Sequence, residues 1–356
     1  ISKFLKNIPQ REWFDLQTSL YDTALRVFPN RLILKEHFRC LPEIIGFNNK
    51  TFYSSEINKL RYPKSYEKFY PTIVPIKVKE GYREQNKAVN IPEAEALVNK
   101  LVDCCEDERY LGMTMGVVSL LGEHQSQLVE NMIRERIGEE EITKRKIVCG
   151  TSYAFQGDER DIMFLTMVVS KDVKFTPITR EANIRKFNVA TSRARNQMWL
   201  FYSIDLEDIN PECVRYSLLN YCLNYKNNSR RHKKVQYTFV NKFQRDVYES
   251  IKNKGYSVEC DIELKQYKID FVIEGIKNRV AIVCDGNIDI QKCNWEESIE
   301  RKLELEELGW IFCRIRGSEF YYNHEKTMAR LWNKLGERED DIYIGEKSMI
   351  KSLKVV

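Results

Sequence analysis

Residues 149–164 read CGTSYAFQGDERDIMF, and this stretch indicates the kind of fold that the chain forms. It follows the apolar run Ile147-Val148-Cys149, breaks into small polar residues around Gly157, and leads through charged residues into a second apolar run, 162–169. Short apolar runs bounded by turn residues are typical of buried strands. The stretch is therefore predicted to connect two strands of one sheet.

The wider pattern from 90 to 202 alternates helix and strand. Apolar residues recur at helical spacing over 94–105 and 128–137, whereas 116–121 and 198–202 are short apolar runs. Such alternation favours an α/β fold in which helices cover both faces of a parallel sheet.

The turn within 149–164 carries residues that suit a ligand. In open α/β sheets, ligands bind beyond the carboxyl ends of the strands. Gln156 and Glu159 can supply an amide and a carboxylate there, and Gly157 allows a ligand to approach the backbone closely. The alternative is a solvated loop whose glycine serves only the turn.

Two further stretches place arginines among apolar residues. Residues 185–195 read RKFNVATSRAR, and residues 34–53 read LKEHFRCLPEIIGFNNKTFY, with Arg39 just ahead of a helix begun by Pro42. A guanidinium group can hold a phosphate through two hydrogen bonds. The alternative for 185–195 is a helix end where cations complement the helix dipole.

In order and separation, the stretches 34–53, 116–127, 150–161 and 185–195 resemble motifs of the second motor domain of superfamily 1 helicases. The branch is the one that includes the RNA-surveillance and Okazaki-fragment-processing helicases. The resemblance covers about residues 10–210. It implies a RecA-like domain that binds ATP together with another motor domain.

The resemblance also implies roles for single residues. Arg39 and Arg193 match the arginine fingers that reach the γ-phosphate of ATP and stabilise charge during phosphoryl transfer. Gln156, Gly157 and Glu159 match the segment that couples nucleotide to bound strand, with Glu159 near the nucleotide sugar.

Ser119 and Thr151, at predicted strand ends, match positions that hold phosphates of a single strand. Contacts of this kind position a strand without reading its sequence. The expected partner is single-stranded nucleic acid, with DNA preferred over RNA.

The chain departs from the family pattern in the parts that seat ATP and Mg²⁺. Residues 1–356 contain no GxxxxGK[ST] loop and no Asp-Glu pair after a strand, which are the groups that hold the phosphates and the magnesium. We therefore expect no ATP hydrolysis by this chain alone. The expected source of both groups is a first motor domain, N-terminal to Ile1 in the same protein.

Residues 238–325 resemble the very-short-patch-repair-like branch of the PD-(D/E)XK nucleases, a smaller restriction-endonuclease-like α/β domain. Such enzymes hold a divalent metal with carboxylates from neighbouring strands. Asp270 and Asp285 remain, but Val283 and Gln244 stand where the family has glutamates, and the family's histidine is absent. We expect a degenerate module that does not cleave, although Asp270 and Asp285 stay candidate catalytic and metal-binding residues.

The alternative for Asp270 and Asp285 is that they cap strand ends or pair with Arg314 and Arg316. The latter two arginines, with the basic stretch 226–234, are candidate nucleic-acid contacts whose affinity would fall with salt. The apolar pattern stops at this stretch. The predicted organisation is a motor domain over 1–222, a basic linker over 223–237 and the nuclease-like domain over 238–356.

Composition fits these expectations. The chain has 43% hydrophobic and 31% charged residues and a net charge of +5, which permits a polyanionic partner. No apolar run is long enough for a membrane span, and the N-terminal residues lack a secretory signal, so we expect a cytoplasmic protein without a membrane partner. Ten cysteines without a CxxC pair and four scattered histidines favour reduced thiols over disulfides or zinc.

The sequence thus predicts the C-terminal part of an ATP-dependent nucleic-acid helicase with a nuclease-like domain that binds DNA. Two alternatives stay open: an active metal-dependent endonuclease, and a catalytically inert docking module. Translocation polarity, the choice between DNA and RNA, and the pathway, whether repair or antiviral defence, are not decided by these residues.

Overall fold

The computed structural model describes residues 6, 13, 19–28, 30, 32–61, 63, 67–85, 87–229, 238–264, 267–274, 279–286, 302–303, 306 and 310–336. Contacts between Cα atoms divide the chain into two units, Ile1–Glu36 and His37–Val356. The first contains helix α1 (Leu20–Val27), which begins after Ser19 because the Ser19 side chain accepts a hydrogen bond from the Asp22 N–H at 3.1 Å.

The second unit contains a five-stranded sheet. Its strands are β3 (Ile73–Lys77), β4 (Met115–Ser119), β5 (Val148–Gly150), β6 (Arg160–Ser170) and β7 (Ala194–Ser203). The strand order is β3-β7-β6-β4-β5, and all neighbours run parallel. Two-residue strands β1 (Glu36–His37) and β2 (Asn58–Lys59) precede it. The predicted parallel α/β sheet is confirmed.

Helices cover both faces of this sheet. They are α2 (Pro42–Phe52), α3 (Ile91–Glu106), α4 (Glu123–Arg136), α5 (Glu139–Lys144), α6 (Glu181–Thr191) and α7 (Val214–Ser229). Met163 and Leu165 of β6 pack with α2, α6 and α7, whereas Ile162 and Phe164 pack with α3 and α4. Alternate residues of one strand thus enter opposite apolar layers, which is why the central strands are apolar throughout.

A second, four-stranded sheet follows. Its strands are β8 (Val258–Leu264), β9 (Tyr267–Glu274), β10 (Arg279–Asp285) and β11 (Ile311–Arg316), in the order β11-β10-β9-β8. The pair β10-β11 is parallel and the other pairs are antiparallel. Helices α8 (Lys242–Asn253) and α10 (His324–Leu335) cover one face, with the short helix α9 (Gly317–Tyr322) between β11 and α10. This agrees with the predicted smaller α/β domain.

The opposite face of the second sheet packs on Leu60, which is 2% exposed and directly follows β2. The residues around it are Ile269, Val272, Ala281, Trp310 and Phe312. An ion pair between Lys68 and Glu259 adds a second contact to this region. A segment of the first sheet's half therefore completes the core of the second sheet.

The predicted linker begins inside a helix. Helix α7 continues to Ser229, so 223–229 is helical, and 230–237 lies outside the described residues. Within the described part of the chain, no helix is both long enough and apolar enough to cross a bilayer.

Candidate functional site

The stretch 149–164 runs from the carboxyl ends of the parallel strands, here called the carboxyl edge, back to their amino ends, the amino edge. Strand β5 ends at Gly150, so Thr151 lies at the carboxyl edge, whereas Glu159 directly precedes β6 and lies at the amino edge. A 3-10 turn, Ser152–Phe155, makes the crossing, and the Phe155 ring is fully buried. The expectation that Glu159 lies at the carboxyl end of the first strand is wrong, because burial of Phe155 carries the chain back across the sheet.

Gln156 and Gly157 occupy the exposed turn between Phe155 and β6. Gly157 has φ of 84°, a left-handed conformation that glycine adopts without steric cost. The glycine therefore has a conformational reason to be there. This turn determines where the Glu159 side chain lies.

At the amino edge, arginines surround Glu159. Arg39 Nε lies 2.6 Å from Glu159 Oε2, and Arg195 Nη1 lies 3.5 Å from Glu159 Oε1. Arg193 Nη1 donates to the Asp158 carbonyl at 3.2 Å. Arg39 and Arg193, distant in sequence, are thus brought to one rim of the molecule.

Backbone contacts hold the two arginine-bearing segments together. The turn that carries Arg39 is fixed by the Cys40 N–H, which donates to His37 Nε2 at 2.9 Å. The next residue, Leu41, donates its N–H to the Arg195 carbonyl at 3.0 Å. Arg193 is fixed in turn, because its carbonyl accepts from the Arg160 N–H at 3.0 Å.

The electrostatics of this rim favour an incoming anion at Arg193. Burial lowers the pKa of Arg193, and the neighbouring Arg39 charge adds to that effect. Within the described residues, Arg193 Nε is buried without a hydrogen-bond partner and its guanidinium forms no ion pair. Burial also lowers the pKa of His37 to about 4, so the imidazole is neutral at pH 7 and can accept from Cys40.

At the carboxyl edge lies a groove of about 960 Å³. Ser119, the last residue of β4, and Thr151, the first after β5, both line it. Five cationic residues also line the groove, namely Arg83, Lys174, Arg180, Lys186 and Arg215. Parallel strands explain the convergence, because their carboxyl ends meet at one edge. The structure therefore places Ser119 and Thr151, the predicted contacts for a nucleic-acid strand, in one basic groove. The groove lies at the edge opposite the arginine rim, the amino edge where Arg39 and Arg193 meet.

Tyr153 lines the same groove and is not among the predicted site residues. Tyr153 is 66% exposed, and Lys186 Nζ lies 5.5 Å from the centroid of its ring. An exposed aromatic ring beside cations is a common platform for nucleic-acid bases. The available signal was a second aromatic residue in the turn, two positions after Thr151 and two before Phe155.

In the second sheet the two candidate metal ligands have other partners. Asp270 Oδ1 accepts from Gln244 Nε2 at 2.8 Å, and Asp270 Oδ2 accepts from the Cys284 N–H at 2.7 Å. Asp285 Oδ2 accepts from Arg314 Nε at 2.8 Å. No group of three or more histidine, cysteine or acidic side chains suited to a metal occurs in the described part of the chain. Both carboxylates thus accept hydrogen bonds from other groups of the protein.

Arg314 and Arg316 are likewise engaged in ion pairs. Arg314 binds Asp285 across β10 and β11, and Arg316 Nη1 lies 3.5 Å from Glu319 Oε1. The alternative of an Asp285–Arg314 pair is therefore the arrangement that the structure has. The Arg316 side chain is 52% exposed and still accessible from solvent.

Comparison with known proteins assigns the class. A family model described as AAA domain matches residues 16–205, and a restriction-endonuclease model, REase_MTES_1575, matches residues 243–335. The chain belongs to this AAA-domain family and carries a restriction-endonuclease-like domain after it.

Curated relatives carry helicase names. The chain is 23% identical over 372 residues to an uncharacterized ATP-dependent helicase, the MG140 homolog of Mycoplasma pneumoniae, covering 92% of this chain and 32% of the relative. It is 25% identical over 194 residues to the mouse 5'-3' DNA helicase ZGRF1, covering 53% and 10%. The chain thus spans a third or less of the length of these relatives.

A solved structure, the C-terminal domain of a possible DNA helicase from Lactobacillus plantarum, also matches. It shares 15% identity over 47% of this chain and 87% of its own, with a TM-score of 0.28. That score is too low to support an argument about the fold.

Proposed function

We propose that this chain is the second motor half of an ATP-dependent helicase that moves single-stranded DNA, with an appended nuclease-like domain that does not cleave. The observation that carries the proposal is the convergence of Arg39 and Arg193 beside Glu159. The helicase names of the relatives support the same activity. The motor domain is proposed to cover 1–222, the linker 223–237 and the nuclease-like domain 238–356.

ATP is the substrate. A first motor domain of the same protein would supply the loop that holds the ATP phosphates, together with the bound Mg²⁺. Closure of the two domains would present the amino-edge rim to the triphosphate. Arg193, which lacks a carboxylate partner among the described residues, would donate to the γ-phosphate and stabilise the charge that develops during transfer.

The Arg39 guanidinium pairs with the Glu159 carboxylate. When ATP binds, the Arg39 guanidinium would release the Glu159 carboxylate and donate to a phosphate oxygen. Glu159 would then be free to accept from the nucleotide sugar, as the family resemblance implies, with Gln156 and Gly157 linking this movement to the strand side. The ion pair thus keeps both groups positioned for closure.

The groove at the carboxyl edge would hold the strand. Ser119 and Thr151 hydroxyls would contact backbone phosphates, and the cationic lining would attract the polyanion without reading its sequence. Nucleotide and strand would therefore occupy opposite edges of one rigid sheet. The stretch 149–164 connects the two edges directly.

The nuclease-like domain is proposed to bind nucleic acid and not to hydrolyse it. Its sequence resembles the very-short-patch-repair nucleases, but Asp270 and Asp285 accept hydrogen bonds from Gln244 and Arg314. The exposed Arg316 is the proposed contact. Its affinity for DNA would fall with salt.

The test is the rate of ATP hydrolysis by the full-length protein with single-stranded DNA. Arg193→Ala should lower kcat by about 1,000-fold, because an arginine finger contributes about that much or more, while strand affinity stays unchanged. Arg134→Ala is the control, since Arg134 lies on α4 outside the motif stretches, is 51% exposed and pairs with Glu130. Equal turnover in the Arg193 variant and the control would refute the assignment.

A further inference from the structure

Two of the arginines in the strand groove carry charge without an anionic partner. Arg215 is 2% exposed, and its Nε is buried without a hydrogen-bond partner within the described residues. Its Nη1 donates to the Thr176 carbonyl at 3.3 Å, and its guanidinium carbon lies 5.5 Å from the centroid of the Phe175 ring. Neither contact neutralises the charge.

Arg83 lies on the same groove and repeats the pattern. Its Nε is also buried without a partner among the described residues, and burial, with a smaller effect of the Arg83 charge, lowers the pKa of Arg215. The backbone N–H of Arg83, and not its guanidinium, donates to Asp172 Oδ2 at 3.3 Å. Neither arginine forms an ion pair within the described part of the chain.

Two neighbouring cations, one of them almost fully buried, are costly unless an anion joins them. Both line the groove that also contains Ser119 and Thr151. We propose that Arg83 and Arg215 together form the seat for one backbone phosphate of the bound single strand. This inference rests on the proposed strand groove and adds a phosphate position that the family motifs do not contain.

The test measures binding of the chain to a labelled oligothymidylate over a series of KCl concentrations. The double variant Arg83→Gln/Arg215→Met should bind more weakly, and the slope of log K against log salt should become shallower by about 0.7, the value for one phosphate contact on a single strand. Arg109→Gln removes one positive charge from a residue outside the groove whose side chain is 73% exposed, and it should leave the slope unchanged.

Thermal unfolding separates this role from a structural one. If Arg215 serves the ligand, then Arg215→Met should unfold at the same temperature as the unsubstituted chain or higher, because a buried unpaired charge is removed. A lower unfolding temperature together with an unchanged salt slope would overturn the proposal. Inorganic phosphate is the second probe, and a stabilisation by it equal to that by the strand would assign the seat to free phosphate instead. Failure of the unsubstituted chain to bind any strand would contradict the proposed groove itself.

A different observation concerns Arg61, the residue after Leu60. Arg61 Nη1 donates to the Arg39 carbonyl at 2.7 Å and also to the Arg195 carbonyl. Its Nη2 contacts Asn196 Oδ1 and lies 3.3 Å from Glu67 Oε1. One guanidinium therefore bridges the two segments that carry the proposed arginine fingers.

The neighbouring Leu60 belongs to the second sheet's core. Its side chain packs with Val272 and Trp310, and its N–H donates to the His37 carbonyl at 2.9 Å. Two consecutive residues thus connect the endonuclease-like domain to the backbone of the arginine rim. A shift of the second sheet would move Leu60 and, with it, Arg61.

We infer that Arg61 is a positioning residue through which the endonuclease-like domain sets the arginine rim for ATP hydrolysis. This inference also rests on the proposed function. In the full-length protein, Arg61→Met should lower kcat for ATP by about tenfold or more, with KM and strand affinity unchanged, because a misplaced group loses transition-state contacts first. Arg61→Lys should recover little, since lysine cannot reach several acceptors in a fixed fork.

A double-mutant cycle with Arg193→Ala decides the point. If Arg61 acts through the rim, then Arg61→Met should cause a smaller loss in the Arg193→Ala background than in the unsubstituted protein, whereas independent and additive losses would overturn the inference. Arg145→Met is the matched control, because Arg145 is also buried and donates to the carbonyls of Tyr110 and Cys105. It should leave turnover per folded molecule unchanged. Unaltered turnover in Arg193→Ala alone would instead refute the proposed function.

Discussion

Arg39 and Glu159 are separated by 120 positions in the chain, and the Arg39 Nε lies 2.6 Å from Glu159 Oε2. Both side chains are about one third exposed, at 34% and 39%. The pair therefore contributes little to stability and leaves both groups accessible to a ligand. The main effect of the pair is to fix the positions of the Arg39 guanidinium and the Glu159 carboxylate.

Glu159→Gln tests this placement. The temperature of unfolding should change little, since exposed ion pairs contribute less than about 1 kcal/mol. ATP turnover of the full-length protein should fall, because Arg39 loses the negative charge that holds it and one of the two acceptor oxygens at this position becomes a donor. Steady-state kinetics with circular dichroism melting checks both statements. A large loss of stability with normal turnover per folded molecule would show that the pair is structural.

Tyr153→Ala tests the groove as a strand site. Loss of a stacked base should weaken binding of single-stranded DNA by about 1–3 kcal/mol, whereas Tyr153→Phe should bind normally. Fluorescence anisotropy with a labelled oligonucleotide measures the affinity. Tyr322→Ala is the control, because Tyr322 is 92% exposed and lies in α9 of the other domain. Equal affinity of all three variants would exclude Tyr153 as a base platform.

Glu93 should make stability depend on pH. The side chain is fully buried, and burial raises its pKa to about 7, although Ser203 and Thr166 donate hydrogen bonds to it. Because the folded protein binds this proton more tightly than the unfolded chain, the protonated form stabilises the fold at low pH. That contribution is lost as pH rises from about 4.5 through 7, by about 3 kcal/mol.

The measurement is urea unfolding of the unsubstituted chain and of Glu93→Gln between pH 5 and about 8. The variant should lack this part of the decline, since a glutamine does not titrate. A parallel decline in both proteins would assign the pH dependence to other groups. Removal of the carboxylate should leave α3 in place, because Asn90 caps the helix by accepting from the Glu93 N–H at 3.0 Å.

The second domain should not respond to divalent cations. Addition of Mn²⁺ should neither raise its unfolding temperature nor allow the protein to nick supercoiled plasmid, because Asp270 and Asp285 already accept hydrogen bonds from Gln244, Cys284 and Arg314. Nicking that is abolished by Asp270→Ala would restore the endonuclease alternative. Equal traces of nicking in both proteins would identify a contaminant.

Much of the first sheet could be predicted because its signals are local. Apolar runs bounded by turns indicate strands such as 162–169 in any context, and alternation with helices limits the topology to a parallel sheet. The motif stretches likewise predict which charged side chains contact the ligand. The proximity of Arg39 and Arg193 follows from the family resemblance and not from periodicity.

Other features depend on tertiary contacts that no local pattern records. The path of 149–164 across the sheet depends on burial of the Phe155 ring against Gly116, where an added Cβ would lie 2.7 Å from the ring. Arg61 stands in a segment without periodicity, so its bridging role appears only when two distant carbonyls meet. The unpaired state of Arg215 is equally invisible, because a sequence does not show which charges lack partners.

The burial of Leu60 among residues of the second sheet also bears on how the protein can be dissected. A fragment cut at the basic stretch would expose this leucine on the motor half and leave a void beside Trp310 on the other half. Each piece would then present apolar surface and tend to aggregate. Biochemical work on either half therefore benefits from keeping them in one polypeptide.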